Sequence, residues 1–385
     1  MFTLRLNEKS EALRRDFQNW LKSNPPPEIT GRLELDEFVE LSRAWQRTLA
    51  KERWVAVHWP EQYGGRGLSS VEEAVVQECL AQARAVQLVN MFGLSVAGPL
   101  LLSFGTASQR ARFLPKILNA DELWCQGFSE PDAGTDLASL KTAAHCGSDG
   151  WLIHGEKTWI SFAQYAAWCL CLARSDHSAP KHDGLTCFAV PLKANGVCVE
   201  PMPLMSEDQD FSKVLFDHVQ INDECRIGHP GQGWEIALRA IGFRQSVEIF
   251  AHYLQSETVL VEIGESLRDF PNNSSVMEEY GRLAARHIAA RTLALAHSLG
   301  CDENKAGFEG ALDRLAWSGT YQDICRFSLE LHGLAGVIDG GPCAKRGGIV
   351  PQRYLQSRGA SIASGTSEIY RNIVAEKILG LPRGT

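Results

Sequence analysis

The pattern of apolar residues predicts an α+β protein of three domains: an N-terminal helical domain, a middle antiparallel β barrel or sandwich, and a C-terminal four-helix bundle. Three observations carry this expectation. Apolar residues recur at helical spacing from about Glu8 to Leu114, then give way past Leu123 to short alternating or continuous runs. From Gly233 the helical period returns and continues almost to Gly380. The boundaries read this way are 1–121, 122–230 and 231–385, and a chain of 385 residues is long enough for several packed layers.

In the first region Leu13, Phe17, Trp20 and Leu21 mark one amphipathic helix, and Val75, Val76, Cys79 and Leu80 mark another. Breaks fall at Pro25-Pro26-Pro27 and at Gly64-Gly65-Arg66-Gly67. The strands of the middle region centre on Trp151–Ile153, Trp168–Leu172, Thr186–Val190 and Val214–Phe216. Turn residues separate them at Gly147–Gly150, Lys193–Gly196 and Asn222-Asp223. In the last region Asp269–Ser275 reads as a loop, and the glycine-rich stretch Gly333–Gly348 reads as a second interruption.

Hydrophobic residues make up 44% and charged residues 22%, an ordinary balance for a globular protein. The net charge is −8 and there is no lysine/arginine block, which argues against nucleic acid or an anionic membrane as a partner. The first residues lack the apolar core of a signal peptide, and no run of about 18 apolar residues occurs, so a cytoplasmic location is expected. The 11 cysteines are dispersed without a CxxC pair. Cys169 and Cys171 would share one face of a strand as buried, reduced thiols, and no metal site is expected.

Several segments, in order and spread over nearly the whole chain, resemble the acyl-CoA dehydrogenase family. They are His58-Trp-Pro-Glu-Gln-Tyr-Gly-Gly65, Phe104-Gly-Thr106…Gln109 with Phe113-Leu-Pro115, and Gln126-Gly-Phe-Ser-Glu-Pro-Asp-Ala-Gly-Thr-Asp136. Gly155-Glu-Lys-Thr-Trp-Ile-Ser161 and the ending Ser364-Gly-Thr-Ser-Glu-Ile-Tyr-Arg-Asn372…Leu379-Gly-Leu-Pro-Arg383 complete the set. The resemblance implies FAD bound without a Rossmann domain, and no strand–GxGxxG–helix unit is present. It places Phe128 and Ser129 at the pyrimidine edge of the flavin, Trp159 against the ring and Ser161 near O4 and N5. Thr135 would lie toward an acyl-CoA, and Thr366 and Glu368 would hold the ribityl-to-adenine part of the dinucleotide. Taken singly, Trp159 reads equally as core, and Ser129 and Thr135 as turn caps.

Two departures stand against this pattern. The family's α-proton is removed by a carboxylate, either immediately before Gly-Thr in the closing motif or immediately before an arginine on an earlier helix. Here those places hold Ser364 and Phe243. A serine hydroxyl has no partner base in Ala363-Ser364-Gly365, and Phe243 cannot titrate. Glu248 is the nearest carboxylate on the Phe243 helix, about 140° further round it, and a surface glutamate is the stronger reading. Arg244 remains as an acyl-CoA contact or an interhelical salt bridge. The residues that reach a neighbouring subunit's FAD in homotetrameric members are also altered: Leu267-Arg-Asp-Phe-Pro271 lacks the family spacing, and Glu330 stands where a glutamine is usual. A carboxylate there would repel a pyrophosphate.

Cis flavin contacts kept and trans contacts degraded imply pairing with a different, complementary subunit. The ending is similar to that of the heteromeric, steroid side-chain-degrading branch. The first reading is therefore one half of an α2β2 acyl-CoA dehydrogenase whose partner supplies the base, with electron-transfer flavoprotein as a possible acceptor. A stand-alone flavoenzyme with a displaced base or altered thioester chemistry, including a homo-oligomer, is the second reading. A non-catalytic scaffold is the third.

Overall fold

Strong local signals start several of the helices. In α1 (Glu8–Ser23) the Asn7 side chain accepts from the Ser10 amide, acidic Glu8 and Glu11 sit in the first turn, and Lys22 sits in the last. α3 (Ser70–Gln82) opens on a capping box between Ser69 and Glu72, and α5 (Ala107–Leu118) on one between Thr106 and Gln109. The remaining helices are α2 (Leu35–Lys51), α4 (Gly98–Phe104), α6 (Gly233–Ser266), α7 (Ser274–Gly300), α8 (Glu309–Leu331), α9 (Ile349–Ser357) and α10 (Ser367–Ile373). This computed structural model describes residues 7–29, 33–269, 273–300 and 308–383.

The chain divides into two compact units: Met1–Leu33, Leu68–Ala85 and Gln245–Thr385 in one, Glu34–Gly67 and Val86–Arg244 in the other. The N-terminal helices are thus shared out. α1 and α3 belong with the C-terminal helices, and α2, α4 and α5 belong with the sheet.

The helical unit packs α7 against α8, with α9 and α10 on α8 and α1 on α3. Its core holds Tyr253, Ile263, Leu283, Ala294, Trp317, Tyr321 and Ile324, each 3% exposed or less. The loop expected at 269–275 falls partly outside the described residues. The stretch expected to interrupt the last helices forms two 3-10 turns, Gly333–Val337 and Lys345–Gly348.

Inside this unit lies a charge network that the sequence pattern hides, because Arg14 occupies a core-facing position between Leu13 and Phe17. The Arg14 guanidinium meets Glu78 at 3.0 Å, Glu78 meets Arg291 at 2.7 Å, and Arg291 meets Glu257 at 3.2 Å. All four side chains are less than 10% exposed. Burial opposes charge on Glu257, but His287, 3.9 Å away, and the Arg291 charge outweigh it and lower its pKa.

The other unit is built on eight strands: β1 (Trp124–Gly127), β2 (Ala143–Gly147), β3 (Gly150–Ser161), β4 (Trp168–Arg174), β5 (Leu185–Pro191), β6 (Val197–Met202), β7 (Phe211–Ile221) and β8 (Arg226–Ile227). Their order is β6-β7-β3-β2-β4-β5-β8, with β1 beside β4. The sheet is antiparallel except where β1, and a single residue of β2, pair parallel to β4. β2 and β3 lie between β1 and β4 in the sequence, a connection long enough to allow their parallel pairing. β4 and β5 are buried on both faces, Cys169 and Cys171 among them as free thiols. Gln109 does more than cap its helix: its side-chain amide donates to the carbonyls of Glu224 and Arg226 at 2.7 and 2.8 Å, tying α5 to the edge of the sheet.

Glu78→Gln leaves two buried arginines without their shared carboxylate. Urea unfolding should show a loss of about 3–5 kcal/mol. Glu368→Ala, which removes an exposed pair with Arg371, should stay within about 0.5 kcal/mol.

Candidate functional site

The segment after β1 and the end of β3 are brought together by one buried cation. Lys157 is fully buried, and its ammonium donates to the Phe128 carbonyl at 3.0 Å and to Glu130 Oε1 at 2.8 Å. Glu130 accepts further from the amides of Lys141 and Thr142 at 2.6 and 2.8 Å, and the Thr158 amide donates to the Ser129 carbonyl at 2.9 Å. Burial works against ionisation of Glu130, yet the Lys157 charge and these amides prevail and hold its carboxyl below the usual range. Phe128 is consequently buried at 4% exposure, while Ser129 beside it stays partly open.

Trp159 follows two positions later in an unusual setting. The β3–β7 register slips between Lys157↔Val214 and Ile160↔Ser212, so Thr158 and Trp159 stand opposite Lys213 alone. This β-bulge puts Trp159 in the left-handed region (φ 58°) and turns its indole outward, 58% exposed. The ring touches Phe211 edge-on at 6.1 Å, and Ser161 pairs with Phe211 across the strands. A tryptophan held in a strained conformation to face outward is not core, so the core reading of Trp159 fails. Next to Phe211, Asp210 has an Oδ1 that is buried without a hydrogen-bond partner among the described residues, and burial raises its pKa. Neither Asp210 nor the Lys157–Glu130 pair stood out in the sequence. The signal that could have found the pair is a lysine in an otherwise apolar-facing strand position.

Thr135 lies exposed in the loop between β1 and β2, where the neighbouring Asp136 pairs with Lys181 at 2.6 Å.

In the helical unit, the closing motif forms a turn with Ser364 at φ 61° and Gly365 at φ 118°. The Tyr370 hydroxyl donates to the Ser364 carbonyl at 2.6 Å, and Arg314 donates to the Ala363 carbonyl at 3.1 Å. A Cβ on Gly365 would come within 3.1 Å of the Tyr370 ring in a backbone conformation that already favours glycine. Ser364 Oγ is buried and has no hydrogen-bond partner among the described residues. Thr366 caps α10 by accepting from the Ile369 amide at 3.3 Å, and Glu368 is exposed, 3.3 Å from Arg371. Glu330 is likewise exposed, 3.9 Å from Arg326. Phe243, Arg244 and Glu248 lie on α6, but their side chains fall outside the described residues.

Three family models match in succession: the acyl-CoA dehydrogenase N-terminal domain over residues 7–121, the middle domain over 125–219 and the C-terminal domain over 231–379. Acyl-CoA dehydrogenase IpdE1 of Mycobacterium tuberculosis is 34% identical over 97% of this chain and 98% of its own length. The chain belongs to the acyl-CoA dehydrogenase family. Acyl-CoA dehydrogenase FadE34 of the same organism is 33% identical over 88% of this chain and 46% of its own. The fold matches the Tcur3481-Tcur3483 steroid ACAD with a TM-score of 0.87 at 24% identity, covering all of both chains. It matches the ChsE4-ChsE5 complex from Mycobacterium tuberculosis with a TM-score of 0.84 at 23% identity, again covering all of both chains. Among the described residues no helix is long and apolar enough to cross a membrane.

Glu130→Gln should lower stability at pH 7 by about 3 kcal/mol, because it strands a buried ammonium. The acid limb of the stability curve tests the cause. A carboxyl whose folded pKa is depressed contributes above its unfolded value of about 4.3 and loses that contribution as pH falls through the folded value. Urea midpoints measured from pH 7 downward should draw together for the two proteins as the pH falls below about 4.3.

Proposed function

We propose that this chain is one subunit of a heteromeric, FAD-dependent acyl-CoA dehydrogenase that forms an α,β double bond in a steroid-derived acyl-CoA, with the base supplied by a second family-related subunit. The observation that carries this reading is Ser364: the turn is built, yet its side chain is a hydroxyl with no hydrogen-bond partner among the described residues. Kinship to IpdE1 over the whole chain, and likeness in fold to the steroid ACAD and the ChsE4-ChsE5 complex, support the substrate class and the paired assembly.

The residues on the β unit suit an isoalloxazine. Trp159 offers an exposed aromatic face, and Ser129 and Ser161 offer polar groups beside it, with the Phe128 backbone held by Lys157. Bound FAD would supply the acceptor for the β-hydride. Phe128 and Ser129 would meet its pyrimidine edge, Trp159 would cover one face and shield it from water, and Ser161 would donate near O4 and N5. Thr366 and Glu368 would contact the dinucleotide, and Thr135 and Arg244 the acyl-CoA. In this division residues 122–230 form the middle β domain with the flavin contacts, and residues 1–121 and 231–385 form the helical domains that flank it in the sequence. Electron-transfer flavoprotein would take the electrons onward.

The α-proton of a thioester is weakly acidic, so its removal needs a positioned carboxylate. Ser364 Oγ can position a polar group of the substrate by hydrogen bonding, and it cannot take the proton alone.

Acyl-CoA added anaerobically to the chain purified alone should leave the flavin band oxidised, whereas the same addition to the chain co-purified with its partner should bleach it. Bleaching by the chain alone would sink the partner-base reading and direct the search to Glu248, where Glu248→Gln should then abolish turnover. Trp159→Ala should reduce flavin bound per chain at least tenfold with unchanged far-UV dichroism.

A further inference from the structure

The second register slip between β3 and β7 gathers three potential metal ligands on the exposed face of the β unit. Pairing runs Ile153↔Val219 and then Gly155↔Phe216, so His154 faces two residues of β7, Asp217 and His218. The bulge puts His218 at φ 52°, a left-handed conformation that histidine rarely adopts, and so its side chain joins that of Asp217 instead of alternating to the opposite face. The Asp217 amide donates to the Gly196 carbonyl at 2.8 Å, which anchors the bulge from the turn before β6.

The resulting cluster is tight. The imidazoles of His154 and His218 lie 4.3 Å apart between centroids. Asp217 Oδ1 is 2.7 Å from His218 Nδ1 and 3.6 Å from His154 Nδ1. One ligand atom from each of the three residues can be chosen so that all lie within 4.8 Å of one another. Ligand atoms bound to a common ion at about 2.0–2.2 Å sit closer than this, and small χ rotations of exposed side chains close the difference.

We propose that His154, Asp217 and His218 form a binding site for a divalent transition-metal ion of the zinc, cobalt or nickel type. Two imidazoles and one carboxylate are the donor set that such borderline ions prefer over magnesium or calcium. All three residues are exposed, so water completes the coordination. The ligands stand on paired strands rather than on a loop, which keeps them in place before the ion arrives. His154 lies five positions before Trp159 on β3, about 16 Å away along an extended strand, so the ion takes no part in chemistry at the flavin. Its effect is structural: it clasps β3 to β7 three residues in from Trp151↔Ile221, toward the end of the strand pair opposite Trp159 and Phe211.

The test is a titration of the untagged, metal-stripped full chain, with thiols alkylated beforehand because Cys146, Cys198 and Cys343 are exposed. Cobalt chloride should produce one equivalent of d–d absorption, and calorimetry with zinc chloride should give the same stoichiometry. His154→Ala with His218→Ala should abolish that equivalent, and Asp217→Asn should weaken it at least tenfold. Zinc should raise the thermal midpoint of the native protein but not that of the double variant. If the double variant does not fold, His154→Gln alone serves, with at least tenfold weaker binding expected. Absence of binding up to millimolar metal, or an equivalent that survives in these variants, overturns the proposal.

Discussion

Lys157 is the constraint on which the β unit's candidate site depends. A fully buried ammonium cannot go unpaired, and here one cation satisfies two demands: it neutralises Glu130 and it fixes the Phe128 carbonyl. Glu130 in turn collects the amides of Lys141 and Thr142, so the loop leaving β1 has its direction set at both ends. The open serine beside Phe128 and the outward tryptophan beside Lys157 are held adjacent by that arrangement. Apolar residues at 130 and 157 would fill the same space, but they would leave a carbonyl and two amides without partners.

Strain is concentrated next to this anchor. The strand pair β3–β7 carries two register slips, and each places a non-glycine residue in the left-handed region, Trp159 in one case and His218 in the other. Such residues persist only where surrounding structure over-determines them. Each slip also overrides the alternation of the pleat, bringing outward a side chain that the regular period would aim elsewhere. A flat, regular β3 would keep the strand and lose the face.

The closing motif shows scaffold and chemistry separating. Ser364 keeps a left-handed conformation, a brace from Tyr370 and a neighbour carbonyl bound by Arg314. On the proposed reading, what is missing is the carboxylate, not the turn that would present it.

The helical and strand regions were legible in the sequence because burial imposes a period on each, and because glycine, proline and asparagine mark the breaks. The family motifs were legible for a related reason: Thr106 and Gln109 form a capping box, and Gly365 occupies a backbone region closed to other residues without strain. Tertiary structure alone decided the rest. It shared the N-terminal helices between two units, turned β1 parallel to β4, and buried Arg14 and Lys157 against carboxylates far away in sequence. It also chose between the two readings of Trp159, and it joined His154 to Asp217 and His218. Those outcomes depend on register and on pairing across long separations, and neither a local period nor a residue type encodes where a strand will slip by one.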